Sequence, residues 1–355
     1  MLLFYTGAEA KNPTYRRGVL DSLSYPSGHM LNFSYRRQYI QPALLERNLS
    51  GQAAVIVYVD LDAQQNPAYM PIRVVNIVTH SPFKGAADRE RIAFTFCLGD
   101  FVSYSGQDSQ ESLHAQLKLL DSERFVNGRL KLFVIEAELR LSSSASATAW
   151  EDVVTAVGRS NQLNNAIFVR LELKNLEGPG APPLEAVGEQ QVYQMRPGRV
   201  YALELSVYKN LPEDGGPAAE AKITLSRSSE LLEIGQPFQS VVSGLAQQTA
   251  LISCKRTIEK NLVALGVTTE EPVTNVVNTP HPFFLLRISL PWEDFALILF
   301  FVFLGSFLVA LDKDSMAPIF AQHAALSAVV AKWFGAVCLA FAAFLGLRKL
   351  PSGAG

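Results

Sequence analysis

Cysteine is scarce in this chain. Its 355 residues hold three, Cys97, Cys254 and Cys338, far apart and with no CxxC between them. That excludes a disulfide framework and fits a reducing compartment. The five histidines are equally scattered, with no HExxH or HxH spacing, so no metal site shows in local spacing and no metal is expected. GxSxG, GxxxxGK[ST] and GxGxxG are all missing, which removes the nucleophile elbow, the phosphate loop and the dinucleotide fingerprint. No cofactor and no catalytic residue is therefore expected. Neither charge sign dominates: 31 Lys and Arg against 33 Asp and Glu leave a net charge of −2. A nucleic-acid-binding domain is normally basic, so dedicated nucleic-acid binding is not expected. The start, MLLFYTGAEA, has five apolar residues and no basic residue before them. A secretory signal needs roughly 7–15 apolar residues behind a basic end, so residues 1 to about 290 are expected in the cytoplasm.

Long apolar runs, by contrast, are present, and both lie near the C-terminus. Phe295–Leu311 reads FALILFFVFLGSFLVAL and carries no charge. His323–Leu347 reads HAALSAVVAKWFGAVCLAFAAFLGL and carries one, Lys332. A bilayer core of ~30 Å needs about 20 apolar residues in a helix, with a range of ~17–25. Both runs qualify on that range, the first at its short end, and together they predict a two-helix transmembrane hairpin. Arg348 and Lys349 follow the second run, while the turn between the runs has an acidic excess in Asp312, Lys313 and Asp314. The positive-inside rule then predicts a two-pass protein of the inner (cytoplasmic) membrane with both termini in the cytoplasm. In the second run Ala331 and Gly335, and Ala342 and Gly346, stand four apart, a spacing that lets helices approach closely. Gly305 lies mid-way in the first run. These small residues, with Lys332, mark a packing surface for the partner helix or for copies of the same chain. Lys332 reads either as part of an ion pathway or an inter-helix pair, or as a side chain snorkelling to the outer interface.

The part before the runs reads as mainly β, with two antiparallel sandwich- or barrel-like domains. Residues 1–141 form the first, with one helix over Asp108–Leu120; residues 149–267 form the second; residues 268–290 are a stalk and last strand; residues 291–349 hold the spans 295–311 and 323–347. Ala53–Asp60, AAVIVYVD, is a β-branched run of the kind buried on both faces. Further strands are expected at 71–80, at 91–104 with a bulge at Gly99-Asp100, and at 166–174, 200–208, 221–226 and 283–290. Glu136 and Glu138 share one parity of a strand and read as its wet face. The stretch 249–266 fits either a strand or a helix. The first fifty residues read as loop-like.

Two stretches in those fifty residues resemble one another, NPTYRRG at 12–18 and NFSYRRQ at 32–38. Arginine offers a planar fork to phosphate and tyrosine a ring face to a base. Tyr15, Arg16, Arg17, Tyr35, Arg36 and Arg37 are therefore the candidate ligand-binding residues, for an anionic small molecule. The overall layout, a cytosolic sensor joined to a few membrane helices, is similar to that of membrane-anchored effectors in bacterial antiviral defence. That resemblance implies a non-enzymatic effector whose hairpin oligomerises in the lipid. Smooth β patterning without a concentrated polar site equally fits a membrane-tethered scaffold that holds a partner protein. A membrane-bound enzyme using Asp100, His80 and His114 is the third reading.

Overall fold

The computed structural model describes residues 1–7, 13–61, 67–85, 89–103, 125–126, 129–130, 132–138, 141–160, 163, 166–176, 186–187, 191–209, 222–235, 244–255, 261–270, 282–289, 292–311 and 324–349. In chain order these form β1 (Leu2–Gly7), α1 (Pro13–Ser24), β2 (Met30–Arg36), short 3-10 turns at Arg37–Tyr39 and Pro42–Leu44, β3 (Ala53–Leu61), β4 (Pro67–Lys84) and β5 (Glu90–Val102). The two-residue β6 (Phe125–Val126) and β7 (Arg129–Leu130) pair with each other. Then come β8 (Val134–Glu136), β9 (Ser143–Ser144), α2 (Ala147–Gly158), β10 (Ile167–Asn175), β11 (Ala186–Val187), β12 (Val192–Met195) and β13 (Val200–Lys209). The β region closes with β14 (Lys222–Arg227), β15 (Leu232–Ile234), β16 (Gly244–Cys254), β17 (Asn261–Glu270) and β18 (Phe283–Ile288). Two apolar helices follow, α3 (Trp292–Ala310) and α4 (Ala324–Lys349).

The β region is built of curled sheets. The first has the order β2-β5-β4-β3-β1-β8, with β9 beside β5. The second runs β10-β13-β16-β15 and the third β11-β12-β18-β17-β14. Most pairs are antiparallel, as the short turns implied, but β1 pairs parallel with β3 and β12 parallel with β18. β3 is buried from Ala54 to Tyr58 because both of its faces are covered. Ala54, Ile56 and Tyr58 join the main core, while Val55 and Val57 join a smaller one with Leu3, Tyr5 and Ile135. The main core is one continuous cluster from Leu2 to Ile288 and runs across the polar stretch 142–148 without a break. Helices α1 and α2 lie inside it: α1 packs on β1 and β10, and α2 on β4, β5 and β13. The Trp150 indole N–H of α2 donates to the Leu23 carbonyl at the end of α1, 2.9 Å away.

Several expectations change here. The first fifty residues are not a loop but a strand, a helix and a second strand. α1 begins on Pro13, where the missing N–H is no loss, and buries Val19, Leu20 and Leu23 on one face. The stretch 249–266 is strand, split between β16 and β17. The helix expected over Asp108–Leu120 lies outside the described residues. β18 is a central strand of the third sheet, flanked by β12 and β17.

The expected bulge at Gly99-Asp100 is present. The register of β4 on β5 shifts between Arg73 and Val75, and a Cβ on Gly99 would meet the Val74 carbonyl oxygen at 2.9 Å. Beside the bulge lies Arg73, with no exposed surface. Its Nε donates to the Gly99 carbonyl at 2.7 Å, and its Nη1 to the carbonyls of Ser22 (2.9 Å) and Tyr25 (2.6 Å). Nη2 reaches the Ser27 hydroxyl at 3.2 Å, and the guanidinium lies 4.2 Å over the Phe101 ring. Ser22 and Tyr25 stand at the C-terminal end of α1, where carbonyls have no helical partner, so Arg73 caps the helix from a neighbouring strand.

Helices α3 and α4 pack side by side. A Cβ on Gly305 would meet the Gly335 carbonyl at 2.9 Å, and one on Gly335 would meet the Gly305 carbonyl at 2.8 Å. Phe301 and Phe341 stack edge to face at 5.0 Å. One helical segment, Leu326–Leu345, is long and apolar enough to cross a membrane, and the apolar segment Ala296–Ala310 of α3 is shorter.

Arg73→Met will take this donor from the two buried carbonyls of Ser22 and Tyr25, each costing ~1–3 kcal/mol, partly offset because a dry charge is also removed, while the Gly99 carbonyl keeps the Ser27 hydroxyl at 2.9 Å. We expect a net loss of about 2–4 kcal/mol in thermal unfolding of the detergent-solubilised chain. Arg73→Lys will lose most of this as well, since one ammonium cannot span three carbonyls. Wild-type stability in Arg73→Lys would show that charge rather than the fork matters.

Candidate functional site

The second Tyr-Arg-Arg stretch opens onto a cleft. β2 ends at Arg36 and turns into the 3-10 segment Arg37–Tyr39, while the start of β5 brings Arg89 and Glu90 alongside. A cavity of about 520 Å³ lies between them, with Ile40, Pro42, Leu45 and Leu132 as its apolar floor. Arg37 and Glu90 approach to 3.3 Å, both half exposed, which makes the contact a weak surface pair. The Arg36 guanidinium lies 5.9 Å from the Tyr39 ring centre. Three guanidinium groups against one carboxylate leave a net positive rim over an apolar floor. Such a cleft can accept an anion that carries a flat or aliphatic part.

The other residues singled out from the sequence fall elsewhere. Tyr15, Arg16 and Arg17 stand on α1; the side chains of the first two lie outside the described residues. Arg17 points to solvent and approaches Asp21 at 3.7 Å. Tyr35 is buried among Phe4 and Phe94, with ring centres 5.8 and 6.1 Å away. The two similar stretches thus adopt different structures, helix and strand. They touch through Gly18, on which a Cβ would come within 2.5 Å of the Phe33 ring. Gly305, Ala331, Gly335 and Ala342 are buried. The first three lie in the contact between α3 and α4. Lys332 is exposed, and the surroundings of Gly346 lie outside the described residues. Glu136 and Glu138 are exposed, with Glu136 paired to Arg47 at 2.6 Å. His80 stacks near Phe94 on β4, and Asp100 accepts from the Ser27 hydroxyl at 3.2 Å; His114 lies outside the described residues.

Sequence reasoning missed two polar assemblies. A groove of about 570 Å³ crosses the polar face of the second sheet. There Glu172 of β10 stands opposite Glu204 of β13, and Lys174 lies 3.9 and 2.8 Å from the two carboxylates. The lysine offsets the repulsion of like charges placed directly across a ladder. The second assembly is a buried aromatic junction between the first and third sheets. His29 stacks flat on Tyr25 at 4.0 Å, and its Nδ1 is 3.4 Å from the Tyr193 hydroxyl. The backbone N–H of Met30 donates to Gln191 Oε1 at 2.9 Å, and Gln191 takes a positive φ of 53°. Burial, and then the field of Arg73, push the His29 imidazole down to about 4. Burial lifts the nearby Asp21 carboxyl up to about 6, against the pull of Arg17. Among the described residues no group of three or more metal-ligating side chains forms.

No protein-family model matches the chain, and no curated protein matches it.

The two titrating groups act in opposite directions. Between pH 6.5 and about 4 the unfolded chain binds a proton at His29 and the folded chain does not, so acid destabilises the fold. Between about pH 6 and 3.8 the folded chain binds a proton at Asp21 and the unfolded chain does not, so acid stabilises it. The wild type should therefore show a shallow pH dependence across pH 4–6. Asp21→Asn should unmask the histidine: stability will fall with acid by up to about 1.4 kcal/mol per pH unit. Melting curves from pH 7 to 4 will read this, and identical slopes for both proteins would sink it.

Proposed function

We propose that the chain is a non-enzymatic effector of the cytoplasmic membrane, anchored by α3 and α4 as a two-pass hairpin with both termini in the cytoplasm. The observation that carries this reading is the outward surface of the two helices. Phe303 is 71% exposed and Trp333 68%, with Phe300, Phe307, Val330 and Phe344 exposed as well. A helix meant for water carries polar side chains on such a face, and two packed helices apolar all round belong in lipid. From Phe295 to Ala310 α3 offers about 24 Å of apolar length at 1.5 Å per residue, short for a bilayer but within reach when the bilayer thins. The sequence sets a tryptophan, Trp292, as the first residue of α3, a position at which interfacial tryptophans are favoured.

In this reading the arginine cleft is the sensor: an anionic small ligand, or an acidic segment of a protein partner, docks between Arg36, Arg37 and Arg89. The hairpin is the output, disturbing the bilayer alone or as a homo-oligomer. The close seam at Gly305 and Gly335 makes the hairpin a rigid unit, so an oligomer would use its outer faces. The likeness in layout to membrane effectors of bacterial antiviral defence supports that setting.

Alkaline carbonate should leave the full chain in the membrane pellet and release a variant lacking residues 291–355. Overproduction of the full chain should depolarise cells, read with a potentiometric dye, and the deletion should abolish this. A full chain that stays integrated, never depolarises and co-purifies with one stoichiometric partner would point to the scaffold instead. Alanine at Arg36, Arg37 and Arg89 together should weaken the response about tenfold or more, on the scale of charge-assisted contacts. An intact response would remove the cleft from the mechanism.

A further inference from the structure

One end of the third sheet is tied closely to the start of α3. Ile288, the last residue of β18, pairs with Met195, the last of β12, and with Asn261, the first of β17. The Ser289 N–H donates to the Met195 carbonyl at 3.4 Å, and the Gly198 N–H to the Cys254 carbonyl at 2.9 Å. The turn Arg196–Arg199 and Lys255 therefore lie at this same end. Only Leu290 and Pro291 separate Ser289 from Trp292, where α3 begins. Three extended steps of chain reach at most about 11 Å.

The surface at this end mixes cations with exposed apolar side chains. Leu262, 54% exposed, stands opposite Arg287 on the β17–β18 ladder. Val200 is exposed directly after Arg199, and Arg196 and Lys255 are exposed. Acidic groups are here too: Glu233 lies 3.7 Å from Lys255, and the sequence sets Glu293 and Asp294 in the first turn of α3. The surface is therefore not strongly charged overall. It offers separate guanidinium groups beside apolar tips, which suits phosphate groups lying next to hydrocarbon.

The geometry points to a membrane-docking surface: the end of the second and third sheets carrying Arg196, Arg199, Val200, Lys255, Leu262 and Arg287 rests on the phospholipid headgroup layer. This rests on the reading that α3 and α4 cross the bilayer. Leu262 and Val200 enter the headgroup region, and the guanidinium groups take lipid phosphates. Because acids balance much of the positive charge, zwitterionic lipid is sufficient.

The test uses the full chain in phosphatidylcholine vesicles, with Cys97→Ser to leave only the two buried cysteines, Cys254 and Cys338. A bimane is placed on Leu262→Cys or, as a control, on Phe283→Cys. Phe283 is 46% exposed at the opposite end of β18, about 13 Å along the strand from Arg287, the ladder partner of Leu262. Lipids with a nitroxide on the headgroup should quench the first probe roughly two-fold or more above the second, given that separation. Arg196→Glu with Arg199→Glu should erase the difference. Equal quenching at both positions, or none at Leu262, in a protein that resists carbonate extraction would overturn the docking. A protein stripped by carbonate would overturn the membrane reading itself.

Discussion

The N-terminal sheet depends on keeping one guanidinium dry. Arg73 has no exposed surface, and its partners are carbonyl oxygens and a hydroxyl. Burial holds its pKa down to about 9, so it remains a cation at neutral pH. A buried cation persists only where its N–H groups are met, and that requirement shapes the neighbourhood. It needs the bulge that turns the Gly99 carbonyl inward, a residue without Cβ at that bulge, and α1 ending where its last carbonyls are within reach. The Phe101 ring serves two cations at once, Arg73 at 4.2 Å and Arg170 at 5.4 Å, which links the first sheet to the second. Fold and junction are consequently one problem: the loop that delivers Tyr25 to Arg73 also delivers His29 to Tyr193.

Much of the β architecture was legible because it is written in local periodicity. β3, β5, β10 and β13 carry β-branched runs or strict alternation, and Gly99 announced its bulge. β1 and α1 were hidden for physical reasons. β1 offers only the short apolar run Leu2–Tyr5, too brief for periodicity to type it, and the buried face of α1 is only Val19, Leu20 and Leu23 on two turns. Non-local features left no trace in the pattern. The parallel pairing of β1 with β3 depends on a crossover, and the stacked pair of His29 and Tyr25 meets Tyr193 from 164 residues away. The cleft was half visible: Arg36 and Arg37 stand out in sequence, while Arg89 arrives only through the register of β2 on β5.

The small residues of α4 carry a similar lesson. Ala331, Gly335 and Ala342 follow a spacing that says helices meet but not which helices. The structure places Gly335 against Gly305 of the same chain, backbone to backbone, so this face is already covered within the chain. The largest outward side chains are aromatic, Phe303, Phe307 and Trp333 among them, with exposed alanines between them on α4, a surface suited to lipid or to looser contact. Lys332 stays on that outward side, away from the seam.

β18 gives this layout a mechanical character. The strand that leads into α3 is neither terminal fringe nor sheet edge, since β12 and β17 hold it from both sides. A load applied through α3 would arrive along the axis of an interior strand. There the ladder bonds on both flanks share the force in shear rather than peeling apart one by one. Tilting the helix pair therefore strains the middle of the third sheet. Because that sheet shares one core with the sheet bearing the arginine cleft, the two are joined by stiff material rather than by a slack tether.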